Sequence, residues 1–399
     1  MNKGVLMLSD TQRATLAATL PAVEGALPEI TPRFYRGLFD AHPTLLDNMF
    51  NRTHQKSGEQ PQALAGSVAA FVRLQLEPDV RRQRFILDRI AHKHASLGVT
   101  ADQYKVVHQH LFAAIVEVLG EAVTPEVADA WDQLYWDMAD LLIASESDLY
   151  AAAGVEPGQV WREVTVSDRV QVSPDTIALT LAPVEGELPK FHPGQYISVQ
   201  VPLSDGAQQI RQYSLTGSPD DAEWRFSVKL AGEVSAHLHE HVFEGDTLRV
   251  STPFGDLTLP DDDAPLLLAS AGIGCTPVIG LLTALAEKGD ARPVTVLHAD
   301  RSRDRQPHRG MLAALVDSLP TGRLIQWYEN TSPHIVSDSV RVGHMTLDNV
   351  EVHPESNVML CGPTGFLSSM REEFLGRDIA ESRIHYETFG PELLRSSAR

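Results

Sequence analysis

The sequence predicts a protein of several domains: an all-α domain, then an antiparallel β-barrel, then a doubly wound α/β domain. Over residues 1–150, apolar side chains recur at helical spacing and strand-like alternation is absent. Short β-rich runs punctuated by Gly, Pro and Asp come next. From Pro265 onward, apolar strand candidates alternate with helical ones, as in a parallel sheet covered by helices. A chain of 399 residues has room for two to three such domains.

The helical domain is predicted over residues 1–150. Ser9 with Gln12, and Thr100 with Gln103, match the capping box, a pattern that begins a helix. Three apolar stripes at helical spacing are expected to face a core. They comprise Ile86, Leu87, Ile90 and His94; then Tyr104, Val107, Leu111, Ile115 and Val118; then Val127, Trp131, Leu134, Met138, Leu141 and Leu142, with Glu146 one turn further.

A linker rich in Ala and Gly is predicted over residues 151–158. The barrel is then predicted over residues 159–263 and the α/β domain over residues 264–399. The barrel strands are expected at Trp161–Val166, Thr176–Leu181, Gln195–Val201, Ile210–Leu215, Trp224–Leu230 and Thr247–Val250. The strands of the α/β domain are expected at Leu266–Ala269, Val294–His298, Leu324–Tyr328 and Val358–Leu360.

Charge and cysteine content exclude several classes of partner. The chain has 33 Lys and Arg against 53 Asp and Glu, and a net charge of −20 repels phosphate backbones, so nucleic acid is not expected as a partner. Two cysteines, Cys275 and Cys361, form no disulfide framework, and no signal peptide is evident, which indicates the cytoplasm. The uncharged stretch 265–286 is long enough to span a bilayer. Gly272, Gly274 and Pro277 interrupt it, so a strand, a tight loop and a helix are expected there rather than stable membrane insertion.

The run Arg211-Gln212-Tyr213-Ser214 on a predicted strand has the residue types that a flavin requires. Arg offers charge for a phosphate, the aromatic ring can cover the flavin ring face, and the hydroxyl can bond a ring nitrogen. The run alone is weak evidence. Its order before two later glycine-containing loops makes it informative.

Those loops are predicted to hold a nicotinamide dinucleotide. The first directly follows an apolar strand and opens a helix, where free backbone N–H groups and the helix dipole favour a pyrophosphate. The second ends a later strand of the same sheet, and the carboxyl ends of parallel strands share one edge. The classical three-glycine fingerprint is not met. The first loop comprises Gly272, Ile273, Gly274, Cys275, Thr276 and Pro277, and the second comprises Cys361, Gly362 and Pro363.

His94 is the candidate ligand for a haem iron in the helical domain. It lies on an apolar helical stripe, where a neutral imidazole can bind iron while hydrocarbon excludes water. His108 and His110 lie on the next predicted helix and remain alternatives by spacing alone.

Residues 160–399 resemble the ferredoxin-reductase-like family of flavin oxidoreductases. The resemblance implies flavin contacts from Tyr196, Arg211 to Ser214, a pyrophosphate loop and a C-terminal segment near the flavin. The loop includes Val234 and Ser235, and the segment includes Thr388, Phe389, Gly390 and Pro391. Two residues depart from the family pattern, because Thr388 stands where Cys is usual and Cys275 stands where Gln is common.

A series of motifs runs through the helical domain in the order Phe34-Tyr35, His42-Pro43, Asn48-Met49-Phe50, Gln60, Leu64, Lys93-His94, Gln103-Tyr104, Glu146 and Tyr150. This order, placed before the reductase module, resembles that of bacterial flavohaemoglobins. That resemblance implies that His94 is the proximal haem ligand and Phe50 the aromatic that wedges the haem. It implies a distal pocket of Tyr35, Gln60 and Leu64, with Pro61 unusual for the family, and a proximal hydrogen-bonding pair of Tyr104 and Glu146.

The expected activity is therefore nitric oxide dioxygenation, in which NAD(P)H reduces FAD, FAD reduces haem b, and O2 reacts with NO to give nitrate. Two other functions stay open: reduction of another acceptor, such as ferric iron, quinone or peroxide, and gas sensing. No obligatory protein partner is expected. Asp300, after a predicted strand, favours NADH, whereas Arg301 and Arg303 are candidates to accept the 2′-phosphate of NADPH.

Overall fold

A computed structural model describes residues 8–48, 72, 80–330 and 336–389, which divide into two compact units. One unit holds the described residues up to Trp161 together with residues 204–210, and the other holds the remaining described residues. None of the described helices is both long and apolar enough to cross a membrane.

Five α-helices form the described part of the first unit. They are α1 (Asp10–Ala41), α2 (Pro43–Asn48), α3 (Val80–Leu97), α4 (Ala101–Leu119) and α5 (Pro125–Ala152). Both predicted capping boxes are present, with the Ser9 N–H donating to Gln12 Oε1 at 3.0 Å and the Thr100 N–H donating to Gln103 Oε1 at 2.8 Å. Helix α5 continues through the first two residues of the predicted linker.

The predicted apolar stripes of α4 and α5 pack against α1 to form one core. Its largest buried side chains include Leu16, Ile30, Phe34, Leu38, Leu111, Trp131, Leu134 and Leu142. The other predicted members, such as Val107, Ile115 and Met138, are partly buried against it. The predicted stripes therefore gave the inward faces of α4 and α5 correctly.

An antiparallel barrel belongs to the second unit, apart from Trp161 and residues 208–210, which are assigned to the first. Its strands are β1 (Trp161–Ser173), β2 (Thr176–Pro183), β3 (Tyr196–Pro202), β4 (Gln208–Ser214), β5 (Trp224–Lys229) and β6 (Thr247–Ser251), with α6 (Glu233–His241) after β5. The strand order is β4-β3-β6-β1-β2-β5, and a bridge between Leu215 and Phe226 joins the two outer strands. β1 is twice the predicted length, because it continues past Val166 through a bulge.

A parallel sheet with helices follows the barrel. Its order is β10-β9-β8-β7-β11-β12, so the chain moves to one side of β7 first and to the other side later. The elements are β7 (Leu266–Ala271), α7 (Cys275–Lys288), β8 (Val294–Asp300), α8 (Arg309–Asp317), β9 (Gly322–Tyr328), β10 (Val340–Val342), β11 (Asn357–Cys361), α9 (Thr364–Leu375) and β12 (Ile384–Glu387). The short edge strands β10 and β12 were not predicted. The reversal of strand order between β7 and β11 opens a crevice at their carboxyl ends.

Candidate functional site

Three helices bring His94, Tyr104 and Glu146 together. His94 comes from α3, and its Nδ1 lies 2.9 Å from Tyr104 Oη and 2.9 Å from Glu146 Oε1. The Tyr104 hydroxyl donates to the same carboxylate oxygen at 2.5 Å. Glu146 is 2% exposed, so its charge needs these donors to compensate for lost hydration. The proximal group predicted from the sequence is thus brought into contact.

This arrangement determines which nitrogen of His94 is available. A carboxylate accepts hydrogen bonds, so the proton of the neutral ring lies on Nδ1 and the lone pair lies on Nε2. Among the residues that the structure describes, none forms a hydrogen bond with His94 Nε2, and the His94 side chain is 32% exposed. An imidazole oriented through Nδ1 by a buried carboxylate fits the axial ligand of a haem.

Tyr104 is held as a hydrogen-bond donor. Burial raises the pKa of its phenol, and the charge and hydrogen bond of Glu146 raise it further, so Tyr104 stays protonated. The hydroxyl of Tyr135 donates to the Tyr104 carbonyl at 2.7 Å, and that of Tyr150 donates to the Val99 carbonyl at 2.7 Å. Sequence reasoning missed Tyr135, which shares no motif with the site and contacts it only through the backbone.

The two alternative histidines are engaged elsewhere. His108 Nε2 lies 2.7 Å from Asp132 Oδ1, and its ring packs 4.3 Å from Phe112 and 5.1 Å from Trp136, between ring centroids. The ring of His110 meets His42 edge to face at 5.6 Å. His94 is therefore the candidate that the structure favours. Among the described residues, no group of three or more His, Cys, Asp or Glu is arranged to hold a bare metal ion.

On the expected distal side, Tyr35 is 6% exposed and its ring stacks on Phe39 at 5.5 Å. Phe50, Gln60, Pro61 and Leu64 lie outside the described residues. The distal pocket therefore stays a prediction.

The predicted flavin motif lies on β4. Arg211 and Tyr213 are two residues apart and share one face of the strand. Burial lowers the pKa of Arg211 and raises that of Tyr213, which are the signs of charged and phenolic groups removed from water. Ser214 is 4% exposed, and Gln212 turns away, donating from Nε2 to Ser198 Oγ at 2.9 Å. Arg211, Tyr213 and Ser214 remain the candidates for flavin contact.

The loop predicted to hold the flavin pyrophosphate caps helix α6. Ser235 Oγ accepts the N–H groups of Ala231 and Gly232, each at 2.8 Å, and donates to the Gly232 carbonyl. The Ser235 hydroxyl thus shapes the turn, and Val234 is buried in the barrel core. The first N–H groups of α6, rather than this hydroxyl, are suited to a pyrophosphate.

Gly274 brings the two predicted dinucleotide loops into contact. A Cβ atom there would lie 2.2 Å from the Cys361 carbonyl oxygen, so only glycine permits this approach. Gly272 has φ of 55°, in the region that favours glycine. The Thr276 hydroxyl donates to the Ile273 carbonyl at 3.0 Å, which stabilises the turn into α7. Both loops lie at the crevice between β7 and β11.

Cys275 and Lys229 complete this region. Cys275 is fully buried, and burial raises the pKa of its thiol to about 12, so it is a neutral group rather than a nucleophile. Lys229, at the end of β5, was missed by sequence reasoning, which took it only as part of a strand. Its Nζ lies 3.8 Å from the position that a Cβ of Gly272 would occupy. A cation beside a glycine loop suits a pyrophosphate.

The remaining predicted residues lie near the chain end and on β3. The Thr388 N–H donates to Glu387 Oε1 at 3.1 Å, and Phe389 is 46% exposed. Gly390 and Pro391 lie outside the described residues. Tyr196 is 7% exposed and exchanges backbone hydrogen bonds with Phe254 at 2.8 and 3.0 Å.

Family comparisons agree with this layout. The globin family model matches residues 32–142. The models described as oxidoreductase FAD-binding domain and oxidoreductase NAD-binding domain match residues 163–259 and 268–372. The order helical domain, barrel and parallel sheet is therefore that of globin, FAD-binding and NAD-binding domains.

Individual proteins match over nearly the whole chain. A flavohemoprotein of Bordetella pertussis is 39% identical over 403 residues, which cover 96% of this chain and 99% of that protein. A flavohemoprotein of Deinococcus radiodurans is 38% identical, with 96% and 98% covered. The crystal structure of a flavohemoglobin from Malassezia yamatoensis with bound FAD and heme has a TM-score of 0.89 at 35% identity, with 96% and 100% covered. The FAD/NAD-binding domain of a nitric oxide dioxygenase from Vibrio cholerae has a TM-score of 0.54 at 32% identity, with 58% and 99% covered.

Proposed function

The chain belongs to the flavohaemoproteins, and from this premise we propose that it converts nitric oxide and oxygen to nitrate at the expense of NAD(P)H. Membership of the family makes it an NAD(P)H-dependent haem oxidoreductase that uses haem and FAD. The choice of nitric oxide and oxygen as its substrates is the proposal. The solved relative from Vibrio cholerae, a nitric oxide dioxygenase, supports it.

The contact that carries the proposal is the one between His94 Nδ1 and the buried Glu146 carboxylate, at 2.9 Å. A carboxylate that accepts the Nδ1 proton makes the imidazole a stronger electron donor through Nε2. Strong donation from the axial ligand favours rearrangement of an O–O bond over simple oxygen storage. Tyr104 keeps Glu146 oriented, because its hydroxyl donates to the same oxygen.

Haem would supply the iron at which oxygen and nitric oxide combine, and FAD would divide the two electrons of a hydride into single electrons. In the proposed assignment His94 would hold the haem, Phe50 would be the aromatic that wedges it, and Tyr35, Gln60 and Leu64 would form the distal pocket. Arg211 would neutralise the flavin phosphate, Tyr213 would cover the ring and Ser214 would bond a ring nitrogen.

The dinucleotide residues have separate tasks. The backbone N–H groups of Gly272 to Gly274 and the cation of Lys229 bind the pyrophosphate of NAD(P)H. The loop of Cys361 to Pro363 lies against the first loop through Gly274 and forms the other wall. We place the haem domain at residues 1–150, the FAD domain at 159–263 and the NAD(P)H domain at 264–399.

The test is the nitrate yield of the purified holoprotein per NADH consumed, in the presence of oxygen and nitric oxide. Conversion of nitric oxide to nitrate releases three electrons and reduction of oxygen takes four, so each NADH supports two nitrate ions. We expect that ratio. NADH oxidation without nitrate, sustained instead by ferric citrate, a quinone or a hydroperoxide, would reject the dioxygenase and favour a reductase for that acceptor.

A further inference from the structure

We propose that a hydrogen bond between Ser227 and His308 is a latch that holds the loop of residues 301–308 in the conformation that binds the adenosine half of the nicotinamide dinucleotide. His308 is then a positioning residue for the reductant. This inference rests on NAD(P)H as the reductant, and it does not depend on nitric oxide as the substrate.

The latch joins the barrel to the parallel sheet domain. Ser227 lies on β5 of the barrel and His308 immediately precedes α8, and Ser227 Oγ lies 2.7 Å from His308 Nε2. Ser227 is 4% exposed and His308 is 9% exposed, so water does not compete for this bond. Burial, with a smaller effect of Arg225, lowers the pKa of His308 to about 4, and the ring is neutral at physiological pH.

The backbone of His308 is constrained as well. Its φ of 54° and ψ of 24° lie in the left-handed region, which non-glycine residues seldom adopt without support from their surroundings. The His308 carbonyl accepts the Leu312 N–H at 2.8 Å and so begins α8. The side-chain bond to Ser227 therefore holds the residue at which the loop turns into the helix.

Other polar contacts hold the loop on two more sides. Arg305 pairs with Asp175 of the barrel at 3.6 Å. The Gln306 side-chain oxygen accepts from Tyr328 Oη and from Gln326 Nε2 on β9. The Cys275 thiol donates to the Pro307 carbonyl at 3.8 Å. The loop is thus bonded to the barrel, to β9 and to the start of α7.

Buried polar groups lie on β7 and at the end of β8, the strand from which the loop departs. His298 Nε2 and Asp300 Oδ2 are buried, lie 3.8 Å apart, and have no hydrogen-bond partner among the described residues. Ser270 Oγ lies 2.9 Å from the other nitrogen of His298.

The position of the loop fits the adenosine half of the ligand. The crevice at β7 and β11 takes the pyrophosphate and the nicotinamide, and β8 lies on the other side of β7. The loop leaves the carboxyl end of β8 and carries Arg301 and Arg303. Ser227 also adjoins Phe226, whose ring centroid is 5.1 Å from that of Tyr213, so one strand contacts both the flavin motif and the loop.

The experiment is anaerobic stopped-flow reduction of the flavin in the full-length holoprotein by NADH, without nitric oxide. The dependence of the rate on NADH concentration separates the dissociation constant from the limiting rate of hydride transfer. For Ser227→Ala we expect the dissociation constant to rise about five- to tenfold, the usual effect of one lost hydrogen bond, with a smaller change in the limiting rate.

Ser218→Ala is the matched control. Ser218 Oγ donates to Glu287 Oε2 at 2.6 Å and also joins the barrel to the parallel sheet domain, but at the far end of α7. We expect its NADH dissociation constant to stay within twofold of the parent. An equal rise in both variants would show general loosening and overturn the latch.

His308→Asn tests the other partner, because Asn tolerates the left-handed backbone but is too short to reach Ser227. It should raise the NADH dissociation constant as Ser227→Ala does, and the double variant should have a dissociation constant no higher than that of either single variant. Additive effects, or values within twofold of the parent for both single variants, would overturn the proposal. If the alanine variant lacks FAD, the nearly isosteric Ser227→Cys replaces it in the same measurement.

Discussion

Glu146 shows how much a single buried carboxylate can contribute. It is 2% exposed, yet it lies on the helix face that packs against two other helices and accepts hydrogen bonds from His94 and Tyr104. Removing one partner from such a group leaves the others with unmet bonding capacity. We expect Glu146 to tune the donor strength of His94 without contacting the reacting molecules.

For Glu146→Gln we expect a lower frequency of the iron–histidine stretch in ferrous protein and about ten- to a hundredfold slower nitric oxide consumption. A neutral amide accepts the Nδ1 proton less strongly than a carboxylate, so Nε2 donates less to iron. Resonance Raman spectroscopy and a nitric oxide electrode make the measurement.

Asp132→Asn is the control for this substitution. Asp132 lies on the same helix α5 as Glu146, but it pairs with His108 of α4 and not with His94. The stretch should not move in that variant, and flavin reduction by NADH should be unchanged in both. An unchanged frequency of the iron–histidine stretch in Glu146→Gln would contradict the proposed proximal role of the carboxylate.

Tyr35 is predicted to donate a hydrogen bond to oxygen on the distal side. Tyr35→Phe should speed oxygen dissociation about ten- to a hundredfold, because one charge-assisted hydrogen bond contributes about 1.5–3 kcal/mol. Flash photolysis or stopped-flow displacement of oxygen gives the rate. An unchanged rate would contradict the distal role of this hydroxyl.

Arg301 bears on the choice between NADH and NADPH. Its N–H donates to Asp300 Oδ1 at 2.7 Å, while its guanidinium is on the exposed side of the loop. Arg301→Ala should lower kcat/KM for NADPH about tenfold and leave that for NADH nearly unchanged, because only NADPH carries the 2′-phosphate. Steady-state kinetics with both reductants measure the two values of kcat/KM. Equal losses for NADPH and NADH would contradict the proposed contact between Arg301 and the 2′-phosphate.

At the scale of elements, the start of α7 depends on a backbone contact between two loops. A Cβ at position 274 would lie 2.2 Å from the Cys361 oxygen and 2.9 Å from the Gly362 nitrogen. Both neighbours are backbone atoms on the adjoining strand and its loop, so they cannot rotate away. The strand β7 and the loop after β11 must separate if any side chain is added here.

Gly274→Ala is therefore expected to destabilise the protein by about 1–3 kcal/mol and to raise the KM for NADH several-fold. Thermal unfolding and NADH-dependent ferricyanide reduction measure the two effects. Gly365→Ala is the control, because a Cβ there meets nothing within 4 Å and the residue lies in helix α9. It should be neutral or slightly stabilising, and equal losses in both variants would contradict the contact.

At the scale of the whole molecule, the candidate haem ligand and the flavin motif belong to different compact units. Each unit has its own apolar core, one from the helices and others from the barrel and the parallel sheet. Loss of one cofactor should therefore leave the other in place.

His94→Ala should lose haem, lose nitric oxide consumption and retain FAD with NADH-driven ferricyanide reduction. His108→Ala is the matched control and should keep haem, since its ring nitrogen bonds Asp132. Absorption spectra report both cofactors. A normal haem spectrum in His94→Ala, or loss of FAD along with haem, would contradict the assignment.

The sequence by itself determined the order of the three folds and most strand positions, whereas the residues of the proximal site were predicted from the resemblance to flavohaemoglobins. Fold order and strand positions depend on local rules: a helical stripe places Glu146 on the same face as Leu142, and alternation places Arg211 with Tyr213. The predicted cofactors follow from the same motifs, and the family comparisons confirm them.

Only the tertiary structure decided which side chains from distant segments meet. Spacing left His94, His108 and His110 as alternatives. The carboxylates on α5 distinguish two of them, because Asp132 bonds His108 and Glu146 bonds His94. The ring of His110 instead contacts that of His42. Lys229 and Ser227 had no motif, since their partners lie on loops more than forty residues away in sequence. The periodicity of a sequence predicts on which face of a helix or strand a residue lies. Which faces come into contact depends on how the elements pack.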